Sequence, residues 1–204
     1  MTSNRPNPTI DLTQRSFTVR FSKHDSADRD QLDGFIRDIF RQTYGAEVKP
    51  SKSYLMSLRD HDDELIAACS LHSAATEKLS LEIYLDNPVE KILSTLTGQT
   101  VQRGDIIEVS DFSASELATA RYLITAINDQ LHFTSKQWAI INAPPNLRDA
   151  FVKLGMDPKI IADADKNRID PDELRRWGNF FDQNPQIIAI SRIDRRNKSR
   201  NGQT

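Results

Sequence analysis

A lone carboxylate inside an apolar run is the first group in this sequence equipped for acid–base chemistry. Glu108 sits in DIIEVS between Ile106, Ile107 and Val109, a pattern that reads as a strand. Burial there disfavours the charged form and raises the pKa, which suits a general base acting directly or through water. The same burial fits a structural Glu paired with an arginine, Arg103 or Arg148. A second group lies in LEIYLD. If this segment is extended, Glu82, Tyr84 and Asp86 share one face while Leu81, Ile83 and Leu85 share the other. Tyr84 could then orient an acceptor or donate a proton, and Glu82 could bind an amine. An edge strand with one wet face gives the same alternation.

Other chemistries find little support. His24, His61, His72 and His132 have no ligand spacing, so no metal site is expected. The acidic run DADKNRIDPDE lacks the sixth-position glycine of a calcium loop. Ser113 and Ser115 are not framed by a Gly-x-Ser-x-Gly elbow. The one cysteine, Cys69 in LIAACSL, reads as a buried thiol within a strand. With 27 basic and 29 acidic residues the net charge is −2, so no global field points to nucleic acid. No apolar run approaches the ~18 residues that span a bilayer, and no secretory signal is visible. These features set the expectation of a cytoplasmic protein.

At 204 residues the chain suits one core. We expect a flexible segment over 1–16, one domain over 17–193, and a basic disordered tail over 194–204. FTVRF alternates as a first strand, and Leu32, Phe35, Ile36, Ile39, Phe40 and Tyr44 recur at helical spacing, with Ser26 or Asp28 as cap. YLMSLRD and ELIAACSLHSA flank a polar turn. SLEIYL reads as a strand or an irregular apolar segment, and NPVEKILSTLTG as a helix with Pro early and Gly at its end. Then follow the Glu108 strand, the long helical pattern ELATARYLITAINDQLHF, the apolar strand WAIINA, a short helix NLRDAFVKLGM, an Asp-rich linker, PDELRRWGNFFDQNP and a last strand QIIAISRI. The order predicts helices over a mixed sheet, α/β or α+β.

That order, with Asn146, Ala150, Phe151, Lys153 and Gly155 near its end, resembles the GCN5-related N-acetyltransferase (GNAT) fold. More of the chain resembles the thermostable hemolysin family, itself similar to the acyl-homoserine-lactone synthases. YGAEV, LEIYLDNPVE, IIEVSDFSA, NLRDAF and RRWGNFFDQNPQIIA carry this resemblance across roughly 17–193. It implies a GNAT-like fold whose mixed sheet is splayed and covered by helices on both faces. It also implies N-acyl transfer from an acyl-carrier-protein or acyl-CoA thioester to an amine. By this likeness Glu108 is the base, with Glu82 and Tyr84 catalytic beside it, and Asp86, Arg103 and Arg148 serve as acceptor or charge partners. The pantetheine arm would lie against Val109, Ser110, Asp111, Asn142 and Asn146, between two strands that part. The thioester is a co-substrate, and no permanently bound cofactor is implied. The turn SDFSASELATA carries no glycine, which suits carrier protein, whose arm lacks adenosine and pyrophosphate, better than coenzyme A. Arg121, Lys136, Arg148, Lys153 and the tail from Arg192 are candidate contacts for an acidic carrier. Phe151 stands where a tyrosine commonly protonates the leaving thiolate. A non-catalytic scaffold that binds lipid, membrane or a protein partner is the alternative.

Overall fold

The computed structural model of the chain describes residues 9–12, 15–49 and 53–193, with side chains from Phe17 onward. Eight strands form one sheet in the order β1-β2-β3-β4-β5-β6-β8-β7. They are β1 (Thr9–Leu12), β2 (Arg15–Ser22), β3 (Tyr54–Arg59), β4 (Leu65–Ser73), β5 (Ile106–Ala114), β6 (Trp138–Ala143), β7 (Lys159–Asp163) and β8 (Gln186–Ser191). Only β5 and β6 run parallel. Their pairing extends from Ile106↔Trp138 to Val109↔Ile141 and stops. Beyond that point β5 follows β4 while β6 follows β8, and the two strands part. Between the pairs Ser70↔Ser110 and Ala68↔Ser113, β5 holds one more residue than β4, with Asp111 at φ 52°. Such a bulge bends the strand away from its neighbour.

Helices cover both faces, as the sequence predicts. On one face α3 (Leu117–Phe133) and α4 (Pro145–Lys153) bury Leu123, Ile127 and Phe151 against Ile107, Val109 and Ile188. On the other, α1 (Arg29–Tyr44) seats Leu32, Ile36 and Phe40, at four-residue spacing, on Leu55 and Ala68. Beside it α2 (Val89–Thr97) and the aromatic pair Phe180 and Phe181 pack on Ile106, Ile140 and Ile187. The one-turn α5 (Pro171–Leu174) is capped by Asp170, whose carboxylate accepts the N–H groups of Asp172 and Glu173. No helix among the described residues is long and apolar enough to cross a membrane.

Three expectations change. Ser80–Tyr84, expected as a strand or an irregular apolar segment, forms a 3₁₀ turn. The Glu82 carboxylate accepts the N–H groups of Leu79 at 3.1 Å and Val89 at 3.3 Å, which closes the turn and starts α2. Residues 159–163, expected as linker, form edge strand β7, which pairs with the otherwise free edge of β8 from Lys159↔Ala189 to Asp163↔Gln186. Residues 9–12, expected within a flexible segment, pair with β2 from Thr9↔Thr18 to Leu12↔Arg15. The expected basic tail, 194–204, lies outside the described residues, as do 1–8.

Candidate functional site

Strand parity turns Glu108 toward the face of Ile106 and Ile140, under the 3₁₀ turn of residues 80–84. Its side chain is fully buried, at 0% exposure. The carboxylate accepts the Ser80 hydroxyl and the Leu81 N–H, the latter at 3.1 Å. Burial pushes its pKa up, and the two donors and the nearby His72 pull in the opposite direction. Neither arginine proposed as its partner reaches it. Arg103 spans Glu82 and Glu90 at 2.8 and 2.9 Å, and Arg148 donates to the Gln186 side-chain oxygen.

A cavity of about 650 Å³ runs from α1 to the gap between β5 and β6. Tyr84, Val109, Ser110, Asp111, Asn142 and Asn146, all expected at the site, line it. So do Ser80 and Leu81, the two residues whose donors hold Glu108. Glu108 therefore meets the cavity through the Ser80 hydroxyl. Tyr84 is buried, and burial first, then the charges of Glu173 and Glu108, raises its phenol pKa, so it stays protonated. Where β5 and β6 part, their facing edges border an open gap, and the buried Asn142 Oδ1 there has no hydrogen-bond partner among the described residues. A buried acceptor without a donor costs about 1–3 kcal/mol, so this atom is matched to a donor from a ligand or water.

The remaining expected residues lie elsewhere. Glu82 faces Arg103, whose hydrogen bond, with two backbone N–H groups, holds its carboxyl below the usual carboxylate range. Arg103 also donates from Nε to the Ala74 carbonyl at 2.8 Å, so this cluster locks the 74–90 segment rather than facing the cavity. Asp86 pairs with Arg168 at 2.5 Å on the surface. Asp86 and Glu82 thus do not join Tyr84, because the 3₁₀ turn replaces the two-residue alternation that would have aligned them. Phe151 is buried in the core, so α4 packs and adds no acid to the site. Burial raises the Cys69 pKa and leaves an unreactive thiol.

Further residues complete the wall, among them Trp177 and Phe180, which from sequence alone suit either core packing or the lining of an acyl pocket. Phe40, Tyr44, Trp177 and Phe180 form a chain of ring contacts with centroids 5.1–6.1 Å apart, and all four line the α1 end of the cavity. Glu173 and Lys49 join that wall. The GNFF segment signalled aromatics, but nothing local said they would meet α1. His72 stands opposite Glu108 in the β4–β5 register, and Ser80 lies 28 residues from it in sequence. Asp60, His61 and Asp62 bring three ligand-type groups together in the exposed β3–β4 turn, where Asp60 already accepts the N–H groups of Asp62 and Glu64.

Solved structures share this architecture. The AHL synthase LasI superposes with a TM-score of 0.57 at 11% identity, over 87% of this chain and 90% of that one. FeeM, an N-acyl amino acid synthase from uncultured soil microbes, gives 0.55 at 16% identity, over 87% and 91%. BjaI, a CoA-dependent acyl-homoserine lactone synthase solved with SAM and isopentyl-CoA, gives 0.55 at 10%, over 87% and 84%. A putative N-acetyltransferase from Lactobacillus plantarum gives 0.52 at 12%, over 87% and 99%. At such identities the likeness speaks for the fold, which is GNAT-like. No curated protein matches the chain. The thermostable hemolysin family profile matches residues 22–195, and the chain belongs to that family.

Proposed function

We propose that the protein transfers an acyl group from a thioester to an amine. The observation that carries this reading is the Ser80–Glu108 pair at the wall of a cavity that opens between the parting strands β5 and β6. The amine nitrogen attacks the thioester carbonyl, the C–N bond forms and the C–S bond breaks. Ser80 Oγ takes a proton from the nitrogen as it passes its own to Glu108 Oε1. Tyr84, held protonated, donates toward the leaving thiolate or the oxyanion. The pantetheine arm lies in the gap beside Val109, Ser110, Asp111 and Asn146, and its amide N–H groups supply the donor that Asn142 Oδ1 lacks.

The acceptor fills the aromatic end, where Tyr44, Trp177 and Phe180 flank an ammonium and Glu173 adds a carboxylate. For the donor we favour acyl-carrier protein over acyl-CoA. Every residue from Ser110 to Glu116 carries a side chain, and Asp111 and Glu116 line the cavity where a pyrophosphate would approach. Such a donor places the reaction in the cytoplasm. BjaI, described as CoA-dependent, keeps acyl-CoA as the second donor to assay.

The test is thiol release from acyl-carrier protein and acyl-CoA of several chain lengths, with a panel of amines, followed by mass detection of the amide. Amine-dependent thiol release that Glu108→Gln and Ser80→Ala each reduce by about 100-fold or more supports the reading. Failure of every donor to be consumed, and to raise the melting temperature at ~100 times a typical dissociation constant, overturns it in favour of a non-catalytic scaffold.

A further inference from the structure

Transfer to an amine leaves one proton to dispose of. An acceptor that enters as an ammonium loses two N–H protons when its C–N bond forms. One ends on the released thiol, and the other must reach solvent in every turnover. On the reading above that proton arrives on Glu108, a carboxyl with no exposed surface. A route outward is needed.

His72 provides it. It pairs with Glu108 across the β4–β5 ladder and lies near enough to pull the Glu108 pKa downward. Its Nε2 is 3.2 Å from Ser110 Oγ, on the cavity wall two residues after Glu108. On its other side Nδ1 is 2.8 Å from Ser53 Oγ and 3.2 Å from Glu77 Oε1. The His72 side chain is 13% exposed and that of Glu77 45% exposed, so burial falls stepwise from Glu108 outward. His72 also lines a second hollow of about 660 Å³, whose wall includes Phe21, Tyr54, Leu71 and Lys136, so the ring borders both cavities.

We propose that His72 is a positioning residue for this reaction, one that acts through Glu108 by carrying its proton to Glu77 and the second hollow. Resting on the acyl-transfer reading, the proposal names the exit of that same site. The proton passes from Glu108, by way of Ser110 Oγ or one water in the cavity, to His72 Nε2. Nδ1–H then delivers a proton to Glu77, which leaves the Nε2–H tautomer, and exchange of that proton for one on Nδ1 through water resets the ring for the next turnover. The charged and titratable groups around the ring are Glu108 on β5, Glu77 beyond β4, and Lys23, His24 and Lys136 on the wall of the second hollow. Lys136 is already engaged by the Gly104 carbonyl and by Ser73 Oγ at 3.3 Å.

The proposal is tested by rescue and by titration. His72→Ala should slow amide formation roughly 10-fold or more. Free imidazole, which fits the hollow left open beside residue 72, should restore most of that loss. Pyrrole, of the same shape but without a basic nitrogen, should not. Equal rescue by both, or by neither, in a variant with wild-type circular dichroism overturns the relay. His72→Gln, which keeps a polar partner for Ser110 and Glu77, serves if the alanine variant does not fold. The second arm needs no turnover. Following the Glu108 carboxyl by isotope-edited NMR across pH, His72→Gln should raise its titration midpoint through loss of the ring that now pulls it down. An unchanged midpoint overturns the proposal whether or not any substrate is found. Absence of wild-type turnover with an intact midpoint shift counts against acyl transfer and leaves the proton link standing.

Discussion

Replacing Gly178 with alanine should destabilise the protein more than any other single glycine substitution among the described residues. Gly178 has φ 54° and ψ −128°, a region that a residue with a side chain scarcely enters. A Cβ built there lies 2.0 Å from the Tyr44 carbonyl oxygen and 2.8 and 2.9 Å from the Gly45 carbonyl carbon and oxygen. Carbon and oxygen rest no closer than about 3.3 Å, so the backbone must retreat by more than 1 Å. That movement breaks the Asn179 N–H to Tyr44 carbonyl bond, now 2.9 Å, and strains the Glu47 N–H to Arg176 carbonyl bond at 2.6 Å. Backbone strain costs about 1–3 kcal/mol, the lost hydrogen bond about 1, and displacement of packed rings about 1–3. The expected loss is about 3–7 kcal/mol, a fall of roughly 6–28 °C in melting temperature for a domain of this size. Gly34→Ala is the control. It lies inside α1 with nothing within 4 Å of the added carbon, so it should stabilise by about 0.5–1 kcal/mol. Thermal unfolding followed by circular dichroism reads both. A Gly178→Ala melting temperature within ~2 °C of wild type would refute the close packing of residues 44–45 against 178 from which the estimate is built.

Two further predictions concern carboxylates with opposite shifts. Glu108 titrates above its unfolded value of 4.5, so folding disfavours its charged form, and stability should fall as pH rises from about 4.5 through the folded pKa; Glu108→Gln should flatten this slope in urea unfolding measured across that window. Glu82 titrates below 4.5, so its contribution is present above that pH and is lost as pH falls through the folded value. Arg103→Met, which leaves the Glu82 and Glu90 carboxylates facing one another, should cost about 2–4 kcal/mol at neutral pH and weaken that acid dependence, as read by the same assay.

Long regular patterns carried most of the fold into the sequence. Leu32, Ile36 and Phe40 announce α1, and the nearly continuous apolar run of β6 announces a strand covered on both sides. Edge strand β7 was not legible, since the burial of KIIAD is shallow and its pairing is dictated by β8. Glu108 stood out because a lone carboxylate among isoleucines and valines needs partners, yet the partners came from Ser80 and Leu81 rather than an arginine. Those contacts span 27 and 28 residues and depend on a 3₁₀ turn set by hydrogen bonds to Glu82, which alternation cannot reveal. The residues that line the gap between β5 and β6 were legible through likeness to a fold in which two strands part. That the aromatic residues of the 177–180 segment meet Phe40 and Tyr44 of α1 was not, because the two segments come together only in three dimensions.

The strand order has a bearing on synthesis. Strand β6 is flanked by β5 and β8, and β8 is the last strand to leave the ribosome, 43 residues after β6 ends at 143 and β8 begins at 186. Through that interval β5 can pair with one edge of WAIINA while the backbone groups of its other edge, later paired with β8, stay bare. A nascent chain at this stage presents the kind of apolar strand edge that recruits a second copy or a chaperone. Premature stops between these positions should therefore yield aggregates rather than a shorter soluble protein.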